Sequence, residues 1–294
     1  MCLIVVGWRA HPDFPLVVAA NRDEFYARPT AMAGFWDDVP EIIGGRDLEA
    51  GGTWLGISRS GRFAAVTNVR EPGASKGYLS RGKLTQNFLT GRQSAAEYVA
   101  GIDMGQYAGF NLLIDDNTSL WYCSNRGAAP HELAPGIYGV SNHLLDSPWP
   151  KLLSARRRMA QALSTLPDRA PLFDILADAE IVPDAELPAT GVPLEWERLL
   201  SAIFVRSEPY GTRASTVVGQ TADGAMETHQ QGIGAQAFLP VQGARGAGIR
   251  CQSHGRAWNL FCRGGDQGGV SGGLPRRSRR LAQGLGANYD TGSA

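Results

Sequence analysis

Residues 2–25, CLIVVGWRAHPDFPLVVAANRDEF, contain two apolar runs separated by a short polar connection. The runs, residues 2–8 and 15–20, are rich in Val, Ile and Leu, which is typical of β-strands. The connection over residues 10–13 carries Pro and Asp, which favour turns. The segment therefore predicts an antiparallel hairpin. Apolar and polar residues hardly alternate in its strands, which predicts a sheet that is covered on both faces.

This hairpin places a thiol beside a polar run. Because antiparallel strands run in opposite directions, the residues that end the second strand lie next to Cys2. Small second residues allow removal of Met1, and the α-amine of Cys2, with an ordinary pKa of about 7.7 to 8, could then act as the base for its own thiol. We expect Asp23 to hold that amine. The expected substrate contacts in this run are Asn21, Arg22 and Glu24.

A purely structural interpretation of the same residues stays open. Cys2 could open a buried strand as a small apolar residue. The run from Asn21 to Glu24 could be a strand-ending turn capped by Asn and Asp. The occurrence of both features side by side favours a functional site.

The rest of the body predicts an α+β fold. A second hairpin is formed by residues 51–58 and 62–69, with Arg59, Ser60 and Gly61 as its connection. Helices are predicted at residues 83–89, 94–102, 148–166, 172–179 and 194–204, and strands at residues 110–116, 119–125, 136–142, 210–218 and 225–231. Strand hairpins interrupted by groups of helices predict antiparallel sheets that pack on each other and are flanked by helices.

The stretch GGRDLEAGGTWLG, residues 44–56, is the other conspicuous segment. Its paired glycines permit tight turns and close backbone approach. Arg46, Asp47 and Trp54 are therefore expected to line the mouth of the Cys2 pocket. The alternative is an ordinary connection between strands, with Trp54 in the core.

Composition narrows the class of protein. The 294 residues are 43% hydrophobic and 19% charged, enough for a sizeable core. No apolar run approaches the roughly 18 residues of a membrane span, and no basic segment precedes the first one. The four cysteines form no disulfide framework, which predicts a cytoplasmic protein. Cys251, His254 and Cys262 lack the paired spacing of a metal site, and the basic run PRRSRR is expected to be solvated, so neither a metal nor nucleic acid is predicted as a partner.

A change of composition divides the chain into residues 1–231 and a tail, residues 232–294. The tail contains fifteen glycines, and it has eight arginines but only two acidic residues, whereas the formal net charge of the whole chain is zero. No helical or strand period persists there. The tail is predicted to be disordered, or to follow a loss of the reading frame near Gly232.

The body resembles the NRDE family, also called the transport and Golgi organisation protein 2 family. The segments that carry this resemblance, up to about residue 218, are MCLIVV, VVAANRDEFYARP, GGRDLEAGGTWLGIS, AAVTNVREP, SRG, YGVSNHLLDSPWPK and YGTRASTVV. The chain is more distantly similar to N-terminal-nucleophile hydrolases of the bile-salt hydrolase and acid ceramidase type. That similarity implies a four-layer αββα sandwich of two antiparallel sheets.

The wider similarity also implies roles for individual residues. Cys2 would be the nucleophile and Asp23 the carboxylate beside it. Asn68 and Asn142 would form the oxyanion hole, and Arg213 would be a late arginine of the site. One departure is that Ala20 stands where those enzymes carry an arginine, and the arginine of this chain is Arg22.

Two functions are therefore expected, both at the Cys2 pocket. The first is an amidohydrolase without a cofactor that cleaves the C–N bond of a non-peptide small-molecule amide. The second, implied by the family resemblance, is a non-catalytic protein that binds and moves haem or a lipophilic metabolite, with Cys2 as a thiolate ligand to haem iron. Only the hydrolase requires removal of Met1.

Overall fold

The computed structural model describes residues 2–75, 77–232, 235–241, 247–254 and 257–264, with side chains as far as Gly232. The strands are β1 (Cys2–Trp8), β2 (Leu16–Phe25), β3 (Thr30–Phe35), β4 (Ile42–Asp47), β5 (Leu55–Ser58), β6 (Phe63–Asn68), β7 (Phe110–Asp115), β8 (Leu120–Ser124), β9 (His131–Glu132), β10 (Gly136–Val140), β11 (Tyr210–Gln220), β12 (Met226–Gly232), β13 (Ala235–Val241), β14 (Ala247–His254) and β15 (Ala257–Gly264). The α-helices are α1 (Gly82–Thr90), α2 (Ala95–Ala100), α3 (Pro150–Leu163), α4 (Ala170–Leu176) and α5 (Leu194–Ser201).

Two antiparallel sheets dominate the described part of the chain. One has the strand order β10-β1-β2-β11-β12-β13, and the other has the order β3-β4-β5-β6-β7-β8-β9. The predicted first hairpin is confirmed, because β1 pairs with β2 from Cys2 opposite Arg22 to Trp8 opposite Leu16. The second predicted hairpin is confirmed as β5 and β6.

Three apolar clusters show that the layers follow the order helix, sheet, sheet, helix. Between the sheets, Ile4 and Val18 pack with Ile57 and Leu113. On the outer face of the first sheet, neighbouring residues of β1 and β2 pack on α3 and α4. The outer face of the second sheet packs on α1 and α2. Successive strand residues point to opposite faces, so burial of both faces explains why β1 is apolar throughout. The α+β prediction is confirmed.

The second strand is longer than its apolar run predicts. It continues from Leu16 through the polar residues to Phe25, because β11 pairs along its other edge as far as Tyr210 opposite Phe25. The prediction that Asn21 to Glu24 follow the strand is therefore wrong. Their side chains point alternately to the two faces of the sheet instead of gathering on one side.

The glycine-rich stretch contains a strand that the sequence did not predict. Gly44 and Gly45 lie in β4, not in a turn. A Cβ atom on Gly44 would lie 2.6 Å from the Leu55 carbonyl oxygen, so the glycine permits close approach of β5. Gly51 has a φ of +74° and makes the turn that follows β4.

Strands also occur in the segment for which the sequence predicts disorder or a lost reading frame. The strand β13 pairs with β12, and β14 pairs with β15. Residues 265–294 lie outside the described residues, and the division of the chain at residue 231 stays a prediction.

A buried carboxylate lies at the end of β7. Asp115 is fully buried, and its Oδ2 atom accepts no hydrogen bond from the described residues. Its Oδ1 atom accepts the Asn117 backbone N–H at 2.9 Å. Burial raises the pKa of Asp115 to about 7, because a carboxylate loses its hydration there.

This shift predicts that Asp115 makes the protein less stable as the pH rises from about 4 to 7. Over that range the folded protein keeps a proton that the unfolded chain has already lost. Conversion of the shift gives a loss on the order of 4 kcal/mol in the free energy of unfolding. Asp115→Asn should remove this loss. Urea denaturation should therefore show that the free energy of unfolding of the variant, relative to the wild type, is higher at pH 8 than at pH 4.

Asp116→Asn is the matched control for this measurement. Burial opposes ionisation of Asp116, but hydrogen bonds from Thr118, Ala95 and Ser119 lower its pKa to about 2. Its charge is therefore constant over the same pH range. An equal pH response in both variants would contradict the assignment to Asp115.

Candidate active site

The first residue of β1 lies in a cavity at one end of the two sheets. The cavity has a volume of about 440 Å³ and is lined by residues from β1, β2, β4, β6 and the segments next to them. The charged and polar side chains that line it are Cys2, Arg22, Asp23, Glu24, Arg28, Asp47, Glu49, Thr53, Thr67, Asn68, Ser80 and Arg81.

Cys2 keeps a small opening to this cavity. The residue is 8% exposed and belongs to the cavity lining, so it is almost fully enclosed but still borders the cavity. Burial is the largest influence and raises the pKa of the thiol, and the negative charge of Asp23 acts in the same direction. The sulfur is therefore held as a thiol, and an attack on a carbonyl group would need a base that accepts its proton.

Asp23 lies next to Cys2, as the hairpin predicts, and is held by β11. The hydroxyl group of Thr212 donates a hydrogen bond to Asp23 Oδ1 at 2.6 Å. Burial raises the pKa of Asp23, while the charge of Lys151 and the Thr212 hydrogen bond oppose that change. The strands thus place a carboxylate beside the start of β1.

Arg22 and Glu24 belong to an ion-pair network on the cavity wall. An Nη2 atom of Arg22 lies 3.3 Å from Asp47 Oδ2 and 3.8 Å from Glu24 Oε2. Arg28 shares the same Asp47 oxygen at 2.7 Å and lies 3.3 Å from Glu49. These arginines are already neutralised by the protein, so their main effect is to fix the wall.

Asn21 does not line the cavity, contrary to its predicted substrate contact. Its amide nitrogen donates to the carbonyl oxygens of Leu176 at 2.8 Å and Ile203 at 2.9 Å. Its amide oxygen accepts a hydrogen bond from Ser215 at 2.7 Å. The reason is the extension of β2, which turns Asn21 to the helix-covered face, where it ties the sheet to the segments after α4 and α5.

Asn68 and Asn142 are brought together, but only Asn68 lines the cavity. The Asn142 side-chain nitrogen donates to Asn68 Oδ1 at 2.9 Å and to the Asn68 carbonyl oxygen at 3.2 Å. Asn142 itself is fully buried. This geometry makes Asn142 a positioning residue, because it engages the oxygen of the Asn68 carboxamide. The Asn68 side-chain nitrogen donates to the Val69 carbonyl oxygen at 3.4 Å and keeps its second N–H for another partner.

Arg213 and Arg46 are not among the residues that line the cavity. Arg213, at the β11 bulge, donates to the carbonyl oxygens of Phe25, Tyr26 and Arg28 at 2.9, 3.3 and 3.0 Å, which holds the turn after β2.

Arg46 instead pairs with Asp38 at 2.6 Å, and its guanidinium carbon lies 4.2 Å from the centroid of the Trp36 ring. The predicted placement of both arginines at the site is therefore corrected. Trp54 does line the cavity, as predicted.

Lys151 is a charged group near the site that the sequence analysis missed. It lies in the first turn of α3 on the buried face, where its ammonium group donates to the Leu200 carbonyl oxygen at 2.8 Å. Burial lowers its pKa to about 8, and the negative charge of Asp23 opposes that shift. The available signal was the position of this lysine on the apolar face of the predicted helix, next to Leu152.

Arg81 is the second missed residue. It precedes α1 and lines the cavity, where its Nη1 atom donates to the Gly109 carbonyl oxygen at 3.1 Å. Cys2 and Glu24 are among the groups whose charge acts on it. Its isolated position in SRG, outside any charged run, left no pattern by which the sequence could place it at the site.

Metal ligands are not clustered in the described residues. No group of three His, Cys, Asp or Glu side chains in that part of the chain could hold a metal ion. The side chains of Cys251, His254 and Cys262 lie outside the described residues.

Comparison with known proteins identifies a family. The family model described as Transport and Golgi organisation 2 matches residues 1–233. The Transport and Golgi organization protein 2 homologs of Bos taurus and Homo sapiens are 38% and 37% identical to this chain; each match covers 76% of this chain and 90% of the relative. The Drosophila melanogaster protein is 28% identical, with 74% of this chain and 87% of the relative covered.

Solved structures with a similar fold are more distant. A C2A mutant of conjugated bile acid hydrolase from Clostridium perfringens has a TM-score of 0.46 and 8% identity, over 82% of this chain and 92% of that one. An N-acylethanolamine-hydrolyzing acid amidase ortholog from Caenorhabditis elegans has a TM-score of 0.42 and 14% identity, over 74% and 92%. Among the described residues, no helix is long and apolar enough to cross a membrane.

The opposite charges of Asp23 and Lys151 predict an energetic coupling between them. Asp23→Asn and Lys151→Met should each lower the free energy of unfolding, because each leaves the other charge buried without compensation. The decrease in the free energy of unfolding of the double variant should be smaller than the sum of the two single decreases. The difference, measured in a double-mutant denaturation cycle, should be on the order of 1–3 kcal/mol.

The control for this cycle is Arg157→Met, which removes an exposed charge from the same helix. It should combine additively with Asp23→Asn. Additive behaviour of Lys151→Met as well would show that the two buried groups do not interact.

Proposed function

As this chain belongs to the Transport and Golgi organisation 2 family, we propose that it is a cysteine amidohydrolase that cleaves a non-peptide C–N amide bond in the cavity at Cys2. The family name describes a cellular process and leaves the chemistry open. The observation that carries the proposal is that Cys2, Asp23 and Asn68 line one cavity, at the start of β1. Removal of Met1 would add an α-amine at that place.

The proposed reaction uses that amine as its base. The thiol proton passes to the α-amine of Cys2 as the sulfur attacks the amide carbonyl carbon. The carboxamide of Asn68 donates to the developing oxyanion. Collapse of the tetrahedral intermediate breaks the C–N bond, and the α-ammonium group returns the proton to the leaving amine.

Water completes the cycle. The neutral α-amine accepts a proton from a water molecule, which attacks the thioester and releases a carboxylic acid and the free thiol. Asp23 acts throughout as the carboxylate that orients the amine. The scheme supplies the base that a sulfur held in its protonated form needs.

The second candidate is a carrier of a lipophilic metabolite. The observation that favours it is Leu79, which lines the cavity and is 46% exposed at its rim. An amphipathic ligand could bind there without reaction. Haem would be held by Cys2 as a thiolate, since a thiol loses its proton when it coordinates iron.

Two measurements separate these functions. Intact mass of the purified protein should show loss of Met1, and acylating amide and ester probes should label the wild type but not Cys2→Ser. A retained Met1, together with labelling that does not depend on Cys2, would refute the hydrolase and leave the carrier.

Asn68→Ala should slow turnover of any amide substrate found by such probes. Loss of one oxyanion donor raises the barrier by about 2.7–4 kcal/mol, which corresponds to a 10²- to 10³-fold lower kcat. Asn87→Ala, on the exposed face of α1, is the control and should retain full activity. A kcat that survives Asn68→Ala in a folded protein would remove Asn68 from the mechanism.

A further inference from the structure

Three arginines line the cavity, and they differ in their partners. Arg22 and Arg28 both contact Asp47 Oδ2, at 3.3 and 2.7 Å. Arg81 has no carboxylate oxygen within 4 Å among the residues that the structure describes. It is therefore the cavity arginine whose charge the described protein does not pair directly.

The guanidinium group of Arg81 also has unused donors. It carries five N–H groups, and its hydrogen bond to a described residue is the one from Nη1 to the Gly109 carbonyl oxygen at 3.1 Å. Burial lowers the pKa of Arg81, because the cation has lost part of its hydration without gaining an ion pair. An anion that entered the cavity would supply the missing partner.

The backbone around Arg81 strengthens the positive potential on this side. Arg81 stands directly before α1, a helix of nine residues with no acidic residue in its first turn. Gly82, its first residue, also lines the cavity. The positive end of the helix dipole therefore adds to the guanidinium charge. A Cβ atom on Gly52 would lie 2.8 Å from the Gly82 carbonyl oxygen, so close packing fixes the start of the helix.

The residues that β2 and β4 contribute to the cavity include several carboxylates. Glu24, Asp47 and Glu49 line the cavity on the side of β2 and β4, where Arg22 and Arg28 are already neutralised. An anionic group would be repelled from that wall and attracted to Arg81. The charge distribution thus defines one orientation for a ligand with a single negative end.

We propose that Arg81 binds an anionic group of the substrate, such as a carboxylate, and so selects negatively charged acyl amides for reaction at Cys2. This inference rests on the proposed function, because the bound anion is a substrate only if the protein is a hydrolase. The binding of an anion beside Cys2 does not require that hydrolysis occurs.

The test compares two alkylating reagents that differ in charge. The Cys2 sulfur loses its proton to solvent and attacks the CH2 carbon of either iodoacetate or iodoacetamide, which forms an S–C bond and displaces iodide, but only iodoacetate is an anion. The ratio of their rates at Cys2, measured by peptide mass mapping, therefore cancels any change in the reactivity of the thiol itself. In the wild type, the ratio of iodoacetate to iodoacetamide should exceed the ratio for glutathione.

Arg81→Met should lower this ratio about tenfold, the effect of one lost charge-assisted contact. Lys83→Met removes a positive charge from the same helix outside the cavity lining, and its ratio should stay within about twofold of the wild type. Arg81→Lys keeps the charge and should retain most of the preference, which provides a folded variant if Arg81→Met is unstable.

The outcomes separate the two proposals. An Arg81-dependent ratio in a protein that hydrolyses no amide would support the anion site and refute the hydrolase. Hydrolysis with a ratio that is the same in wild type, Arg81→Met and Arg81→Lys would refute the anion site alone. An equal loss in Lys83→Met would show a general effect of net charge and would also overturn the proposal.

Discussion

Burial of polar groups at the end of β2 is the constraint on which the site depends. Arg22 and Asp23 are 5% and 2% exposed, inside a sheet between β1 and β11, so each needs a partner within the protein. Asp47 supplies one from the other sheet, and Thr212 supplies the other from β11. These contacts keep β2 extended beyond its apolar run. The start of β1 is thereby held against the polar end of its neighbour, where the two sheets leave a cavity.

Burial of the charged groups around this cavity costs free energy, so their presence there calls for a reason other than stability. Lys151 and Asp23 act on each other from α3 and β2, and Arg70 forms an ion pair with Glu197 at 2.8 Å, with both side chains almost fully buried. Apolar residues of similar volume often stabilise a fold as well or better than such pairs. Perturbed charged groups that converge on one cavity are typical of functional sites. This clustering supports a chemical role for the cavity at Cys2 over a purely structural role for that cysteine.

Several site residues could be predicted from local sequence, and others could not. Cys2 and Asp23 follow from one hairpin, because a short connection between two apolar runs leaves little freedom in their pairing. Asn21 was misplaced because the end of β2 depends on β11, which is almost two hundred residues away in the chain. Arg213 was misplaced for the same reason, since the bulge between β11 and β2 turns it toward three backbone carbonyls. Arg81 carries no local signal and Lys151 only its place on the apolar face of α3, since helix packing brings Arg81 to the cavity and Lys151 near Asp23.

The sequence by itself determined the helices, the two hairpins that start the fold and the proximity of a thiol to a carboxylate. Those features depend on hydrophobic periodicity and on contacts between neighbours in the chain, which a sequence displays directly. The tertiary structure alone decided which polar groups face the cavity, which are neutralised by the wall and which remain unpaired. Those outcomes depend on segments that are distant in the chain and share the same few buried donors and acceptors. They also depend on the exclusion of water, which makes an unpaired buried polar group costly in free energy.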